Sequence, residues 1–157
     1  MTLSELMKKG GVYYGVEGAT QKEVLGAFTK LVPNLKTVSS SSLVKAVLER
    51  EELMTTSVNN GMAIPHPRNP LIENEDEQYV SIAFLKQPID WNALDGKPVD
   101  TLILIVSASA KTHLQTLSKI TYFCRDEEFK KLLGKKASAD SIIEYVEKIE
   151  KEWLSRS

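Results

Sequence analysis

The apolar run Thr-Leu-Ile-Leu-Ile-Val at residues 101–106 constrains the fold of this chain more than any other stretch. A continuous run of aliphatic residues is typical of a strand that is covered on both faces. Residues 79–85 also read as a largely buried strand, and helical patterns stand before and after the two strands. Because strands alternate with helices, the sequence predicts an α/β fold, namely a single three-layer α/β/α sandwich with a mixed, mostly buried sheet flanked by helices.

The chain has 157 residues, which fits one domain spanning residues 1–157. Its formal net charge is −1, with 42% apolar and 26% charged residues, which indicates neither a disordered chain nor direct binding of nucleic acid. No apolar stretch approaches the roughly 20 residues that a membrane helix needs, and the N-terminus lacks the apolar core of a secretory signal. We therefore expect a cytoplasmic protein without membrane insertion.

Local signals predict two elements near the N-terminus. Residues 2–9 read as a short helix with Thr2 as its N-cap, and residues 12–14 read as a brief strand. Further along, Thr20 and Glu23 have the spacing of a capping box, in which the threonine side chain and the glutamate side chain each satisfy a backbone N–H of the other residue. This box predicts the start of a second helix.

A serine-rich segment, residues 39–42, predicts the N-cap of a third helix. Within this helix, the spacing of Leu43, Val47 and Met54 puts them on one face. That face either includes Arg50 or lies next to Arg50. We therefore expect Arg50 late on a helix that runs toward the segment around residue 66.

The C-terminal part contains two more helix starts. Thr112 and Gln115 form a second capping-box pattern, which would make His113 the first helical residue and bring its ring to the positive end of the helix dipole. A last helix begins at Ser138 or Asp140, and its apolar residues recur as a single stripe. Core packing is the commoner use of such a stripe.

His66 is the main candidate for chemistry because it stands between two prolines. Pro65 and Pro67 disfavour a helical backbone around it, so the imidazole is held on a stiffened loop. An imidazole with an ordinary pKa near 6.5 provides a neutral nucleophile or a proton relay at physiological pH. On the local spacing alone, a polar loop residue between turn-forming prolines is an equally good interpretation.

Two other candidates have ordinary explanations when they are considered alone. Arg50 lies among glutamates, and alternating charges usually mark a solvated helix face. His113 fits a capping or surface histidine. The single cysteine, Cys124, falls in a helical apolar pattern and reads as a small buried hydrophobe. With only two histidines and no Cys/His cluster, the sequence predicts no metal site.

Several separated motifs together resemble the enzyme IIA domain, type 2, of the bacterial phosphoenolpyruvate-dependent phosphotransferase system, the family of the fructose, mannitol and nitrogen-regulatory branch. The resemblance runs from about residue 11 to the end of the chain. It is carried, in order, by Glu49-Arg50-Glu51, Thr55-Thr56, Gly61-x-Ala63-x-Pro65-His66 and His113-Leu114-x-x-Leu117.

The resemblance implies a histidine phosphocarrier without a cofactor. An HPr-like phosphocarrier would donate a phosphoryl group to Nε2 of His66, and an enzyme IIB domain or a regulatory protein would accept it. His113 would orient His66 or hydrogen-bond the phosphoryl oxygens. Arg50 would contribute a guanidinium, whose fork of donors matches phosphate oxygens. Thr55, Thr56 and Asn60 would support the phosphoryl site.

The chain departs from the family in the loop before His66. Related domains commonly have Ser-Thr-x-x-Gly-x-Gly there, whereas this chain has Thr55 for the serine and Asn59 for the first glycine. Asparagine tolerates left-handed backbone conformations, so we expect the loop shape to survive. In one branch of the family a DNA-binding module precedes this region, and on that ground we interpret residues 1–10 as a remnant of, or a lead-in from, a longer natural chain.

Two other classes of function compete with the phosphocarrier. One is a regulatory binding module that acts through phosphorylation-dependent protein contacts, since a phosphoryl group adds about −1.5 to −2 charges to an interface. The Pro-His-Pro-Arg form of the motif favours the nitrogen-regulatory branch. The other class is a hydrolase with His66 and His113 as general bases, which ranks last because the sequence offers no recognisable nucleophile motif.

Overall fold

The computed structural model describes residues 1–156. Six α-helices and five strands follow one another in this part of the chain, with a short 3₁₀ helix at Glu75–Glu77. Their bounds, in chain order, are α1 Leu3–Gly10, β1 Val12–Val16, α2 Gln21–Leu31, α3 Ser40–Leu53, β2 Ser57–Asn59, β3 Met62–Ala63, β4 Tyr79–Ile89, β5 Val99–Val106, α4 Ala110–Arg125, α5 Glu127–Gly134 and α6 Ala139–Ser155.

The five strands form one mixed sheet in the order β1-β4-β5-β3-β2. The two long strands, β4 and β5, are antiparallel and lie inside the sheet, with Val80 opposite Ile105 and Ile82 opposite Ile103. Strand β1 runs parallel to β4, and β3 runs parallel to β5. A hairpin joins β2 to β3 at the other edge.

Each face of the sheet carries its own hydrophobic core, because side chains alternate between the faces along each strand. Helices α1, α4, α5 and α6 contribute to one core, which contains Val80, Ile82, Phe84, Ile103 and Ile105 of the long strands. Helices α2 and α3 contribute to the other, which contains Ala83, Leu85, Leu102, Leu104 and Trp91. The predicted three-layer α/β/α sandwich with a mixed, buried sheet is therefore confirmed.

Most predicted helix starts are confirmed by the hydrogen bonds of their N-caps. Thr2 and Glu5 form a capping box at α1, Ser39 caps α3, and Ser138 rather than Asp140 caps α6. Cys124 is buried, as the apolar pattern predicts, and burial raises the pKa of its thiol to about 12.

Two predictions about α2 and α3 are wrong in detail. Thr20 caps α2 by accepting from the Glu23 N–H, but the Glu23 carboxylate accepts from the Ala19 N–H instead of returning a bond to Thr20. Helix α3 ends at Leu53, so Met54 adopts an extended backbone, leaves the apolar face and is 70% exposed.

The predicted start of α4 is also wrong. Ser109 is its N-cap, so the helix begins at Ala110 and His113 is the fourth helical residue rather than the first. The Thr112 hydroxyl is used elsewhere, because it donates to the side-chain oxygen of Gln78. Helix α5 was not predicted. Its N-cap is Asp126, which directly follows the last residue of α4, so no loop separates the two helices.

Helix α1 is bound into the structure at both ends. The Glu150 carboxylate of α6 accepts the backbone N–H groups of Leu3 and Ser4, at 2.8 and 2.9 Å, which satisfies two otherwise unpaired donors at the helix start. At the other end, Gly10 lies so close to β4 that a Cβ atom there would overlap the Val80 carbonyl. Within residues 1–156, no helix has the length and apolar character needed to cross a membrane.

Candidate active site

His66 lies just beyond β3, where the chain continues beside β5. Met62 and Ala63 pair with Thr101 and Leu102, and two residues further the Pro65 carbonyl still accepts from the Ile105 N–H at 3.2 Å. The strand-like path therefore carries His66 to the C-terminal end of β5, where α4 begins. Carboxyl ends of strands that precede a helix are common ligand-binding positions in α/β sheets.

The imidazole of His66 is held by its own backbone. Its Nδ1 lies 2.8 Å from the Ile64 carbonyl oxygen, and a carbonyl can only accept, so Nδ1 carries the proton in the neutral ring. The other nitrogen, Nε2, is then left with a free lone pair. Only 8% of the His66 surface is exposed, so the ring can be approached over a narrow area.

His113 lies against His66. Its backbone N–H donates to the Ser109 carbonyl in the first turn of α4, and its ring centroid is 4.6 Å from that of His66, with the two planes at 43°. The two residues are 47 positions apart in the sequence, and the junction of β5 with α4 brings them together.

The site keeps both imidazoles neutral. Burial is the main cause that lowers the pKa of His66, and the Arg50 charge lowers it further, against the raising effect of the hydrogen bond to Ile64. The pKa of His113 falls to about 4, first because of burial and then because of the charges of His66 and Arg50. At neutral pH each ring is therefore an uncharged base.

Arg50 is half-buried in the last part of α3, and its Nη1 donates to the Met54 carbonyl at 2.8 Å. This bond uses one of the five guanidinium N–H donors. The Arg50 charge lowers the pKa of both His66 and His113, so Arg50 lies near enough to the two imidazoles to act on them electrostatically.

The remaining candidates lie in the β2–β3 hairpin and the segment before it. The Thr55 hydroxyl donates to the Trp91 carbonyl at 2.6 Å, and Thr56 lies opposite Ile64, whose N–H donates to the Thr56 carbonyl at 3.0 Å. Asn60 is an exposed turn residue whose N–H donates to Asp95. Since Asn60 precedes β3 and His66 follows it, the structure does not bring Asn60 to the two imidazoles.

The hairpin turn has the conformation expected for its sequence. Asn59, Asn60 and Gly61 have φ angles of 71°, 56° and 80°, all in the left-handed region. Asparagine and glycine are the residues that adopt this region most readily. The asparagine that replaces the first family glycine is thus compatible with the turn.

Two buried polar residues near the site were assigned no role from the sequence. Glu51 accepts both the N–H and the hydroxyl of Thr56. Gln78 accepts the Ala108 N–H at 2.8 Å and the Thr112 hydroxyl at 2.7 Å, which fixes the start of α4 next to His113. A signal for Glu51 was available, because it continues the four-residue spacing of the buried Leu43 and Val47 on α3.

A cleft of about 250 Å³ opens beside His113. Its walls come from residues 67–71 after His66 and from the junction of β5 with α4, and they include Arg68 and Leu114.

The residues around the two histidines suit an anion rather than a metal ion. In residues 1–156, no group of three or more His, Cys, Asp or Glu side chains is placed to hold a metal ion. The arrangement of two neutral imidazoles with a nearby guanidinium is suited to accepting an anionic group.

Residues 5–149 match the sequence model of the family described as "Phosphoenolpyruvate-dependent sugar phosphotransferase system, EIIA 2". The chain belongs to the EIIA 2 family. The resemblance found in the sequence motifs is thereby confirmed. Among curated proteins, this EIIA 2 chain is 28% identical over 144 residues to the nitrogen regulatory protein of Bradyrhizobium diazoefficiens, with 90% of this chain and 92% of that protein covered.

Solved structures agree with the fold of this EIIA 2 chain. The nitrogen regulatory protein IIA-Ntr from Neisseria meningitidis superposes with a TM-score of 0.78 at 22% identity, covering 91% of this chain and 97% of that one. Enzyme IIAMtl from Escherichia coli, solved in complex with phosphorylated enzyme IIBMtl, superposes with a TM-score of 0.63 at 21% identity, covering 86% and 92%.

Proposed function

We propose that this EIIA 2 chain is a histidine phosphocarrier, in which Nε2 of His66 accepts a phosphoryl group from an HPr-like phosphocarrier. The observation that carries the proposal is the hydrogen bond between Nδ1 of His66 and the Ile64 carbonyl. It leaves the Nε2 lone pair as the free nucleophile of a neutral ring. Family membership supplies the class of reaction.

The transfer exchanges one nitrogen–phosphorus bond for another. The Nε2 lone pair forms a bond to phosphorus while the bond from phosphorus to the donor's nitrogen breaks, and the donor nitrogen keeps that electron pair. Nδ1 of His66 retains its proton, and its hydrogen bond to Ile64 stabilises the positive charge that the ring gains during the attack. In transfer to the acceptor, a nucleophile of the acceptor forms the bond to phosphorus while the bond from phosphorus to Nε2 of His66 breaks, and Nε2 keeps that electron pair.

His113 and Arg50 are assigned to the phosphoryl oxygens. The ring centroids of His113 and His66 are 4.6 Å apart, which supports a role for His113 in orienting the His66 ring or in hydrogen-bonding the incoming group. Arg50 has guanidinium donors besides the one bonded to Met54 and its charge reaches both rings. Positioning and electrostatic stabilisation of this kind supply most of the catalysis in phosphoryl transfer.

Thr55, Thr56 and Asn60 are assigned an indirect support of the phosphoryl site. Thr55 ties the end of α3 to Trp91, and Thr56 holds Ile64. Asn60 shapes the hairpin turn and binds Asp95 through its backbone. These contacts define the path of the chain toward His66, so the three residues act on the site without touching the transferred group.

The proposed acceptor is an enzyme IIB domain or a regulatory protein. Phosphorylated enzyme IIBMtl is bound by the structurally similar IIAMtl, which supports an acceptor of that kind. The similarity to nitrogen regulatory proteins favours a regulatory use of the phosphoryl group. We place this activity in the cytoplasm and assign it to residues 1–157 as one domain.

Incubation with phosphoenolpyruvate, enzyme I and HPr tests the proposal. We expect one acid-labile phosphoryl group per chain, and no labelling when HPr is left out. A protein that stays unlabelled while a known enzyme IIA in the same mixture is labelled would contradict the phosphocarrier function.

A further inference from the structure

We propose that Glu51 is a positioning residue for phosphoryl transfer: its buried carboxylate, acting through Thr56 and Ile64, holds His66 in the Nδ1-protonated form. This inference deepens the proposed function of His66 and rests on it. Glu51 belongs to the Glu49-Arg50-Glu51 motif, but the sequence analysis assigns it no role of its own.

The contacts of the Glu51 carboxylate are all directed at one residue. Its Oε2 accepts the Thr56 N–H at 2.9 Å, and its Oε1 accepts the Thr56 hydroxyl. Only 8% of Glu51 is exposed. Both carboxylate oxygens are thus used to fix the backbone and the side chain of Thr56.

Thr56 passes this restraint on to the loop of His66. Its carbonyl accepts the Ile64 N–H at 3.0 Å, and the Ile64 carbonyl in turn accepts from Nδ1 of His66 at 2.8 Å. On the far side of the same segment, the Pro65 carbonyl accepts from Ile105. Residues 64–66 are therefore held between the end of α3 and strand β5. The imidazole of His66 is hydrogen-bonded to Ile64, which is one of these residues.

A structural explanation alone does not require a carboxylate at this position. Glu51 follows Leu43 and Val47 on the buried face of α3, where an apolar side chain would pack without the cost of removing a charge from water. A carboxylate is acceptor-only and can receive both donors of Thr56 at once. An apolar side chain of similar size would accept neither of them.

The consequence for chemistry concerns which nitrogen is free. If the Ile64 carbonyl shifts, Nδ1 loses its partner, the proton redistributes between the two nitrogens, and the fraction of His66 with a free Nε2 lone pair falls. Displacement of a reacting group by about 1 Å can cost about 100-fold in rate. We therefore expect Glu51→Leu, which removes both acceptors of Thr56, to lower the rate of phosphoryl acceptance by about 10- to 100-fold, with the KM for the donor unchanged.

The direct test is nitrogen NMR of the His66 ring in the absence of any phosphoryl donor. The wild type and the matched control Glu52→Leu, at an exposed neighbour on the same helix, should show one protonated Nδ1 and one unprotonated Nε2. Glu51→Leu should show the proton shared between the two nitrogens. A folded Glu51→Leu protein that keeps the wild-type ring spectrum and the wild-type rate would overturn the proposal.

A second pair of variants tests the proposal if Glu51→Leu does not fold. Thr56→Val removes the hydroxyl that Glu51 accepts, whereas Thr56→Ser retains it. We expect Thr56→Ser to retain more of the Nδ1-protonated form and more of the rate than Thr56→Val. Equal spectra and equal rates for the two variants would overturn the proposal.

The outcome is separable from that of the proposed function. The ring spectrum needs no donor, so a protein that accepts no phosphoryl group can still show that Glu51 controls the tautomer of His66. In that case the restraint would stand and the phosphocarrier function would fall.

Discussion

The imidazole of His113 packs against that of His66 with 4.6 Å between ring centroids, although the two residues belong to different elements. Each ring is removed from water by the other and by the surrounding structure, and Arg50 adds a positive charge that lowers the pKa of both. A doubly negative phosphoryl group would meet two neutral bases and one cation there. This combination favours binding of the anion without first requiring proton loss from the nucleophile.

The first prediction concerns pH and stability. The pKa of His113 is about 4 in the folded protein, below its ordinary value of 6.5, so the unfolded chain binds more protons between these values. The contribution of neutral His113 to the free energy of unfolding is fully present above pH 6.5 and is lost as the pH falls toward 4. Urea unfolding of wild type and His113→Asn across this range measures it. As the pH falls from 6.5 to 4, the free energy of unfolding should decrease more for the wild type than for His113→Asn. Equal decreases for the two proteins would contradict the lowered pKa of His113.

The second prediction concerns Arg50. Replacing it with glutamine removes a charge that lowers the pKa of both rings, so the pKa of His66 and His113 should rise. Phosphoryl acceptance should fall by about 10- to 1,000-fold, as for the loss of a charged group that stabilises a transition state. NMR titration and single-turnover labelling measure the two effects. Lys45→Gln, on an exposed position of the same helix, is the control. If Arg50→Gln changes neither the pKa of the two histidines nor the rate of phosphoryl acceptance, the guanidinium has a structural role only.

The third prediction separates the roles of the two histidines. His113→Ala should still be labelled, because Nε2 of His66 and its Nδ1 hydrogen bond remain, but acceptance should slow by about 10- to 100-fold. Labelling time courses at equal donor concentration measure this. Complete loss of labelling in a folded His113→Ala protein, with normal labelling of His66→Ala, would exchange the assigned roles.

The fourth prediction tests the close packing of α1 on β4. A methyl group at Gly10 would overlap the Val80 carbonyl, which the backbone cannot easily move, so Gly10→Ala should lower the free energy of unfolding by about 1–3 kcal/mol. Gly26→Ala in α2 is the matched control, because no atom beyond its chain neighbours and the backbone of its own helix lies within 4 Å of a Cβ there. It should be neutral or stabilising by about 0.5–1 kcal/mol. Equal stability of the two variants would contradict this packing.

The sequence predicted the parts of the fold that depend on local patterns. Apolar continuity in β4 and β5 identified the centre of the sheet, and serine and threonine caps identified the starts of α1, α3 and α6. The prolines around His66 correctly indicated an extended segment. Such features are encoded within a few residues and need no knowledge of tertiary contacts.

Features that depend on tertiary contacts were missed. Thr112 has the pattern of an N-cap, but Gln78 of a neighbouring segment takes its hydroxyl and Ser109 caps the helix instead. Glu51 looks like one of several solvent-exposed charges until the hairpin brings Thr56 to it. Asn60 lies only six residues before His66 in the sequence, yet the two residues lie at opposite ends of β3. In each case a partner distant in sequence or the direction of a strand decides the outcome.

Mapping the phosphoryl group on the labelled protein tests the central claim most directly. The chain is phosphorylated by phosphoenolpyruvate, enzyme I and HPr, and phosphorus and nitrogen NMR identify the modified ring nitrogen, with His66→Ala treated in parallel. We predict a single phosphohistidine at Nε2 of His66 and no labelling of His66→Ala. A phosphoryl group on Nδ1 of His66, on His113, or on a His66→Ala protein would contradict the account.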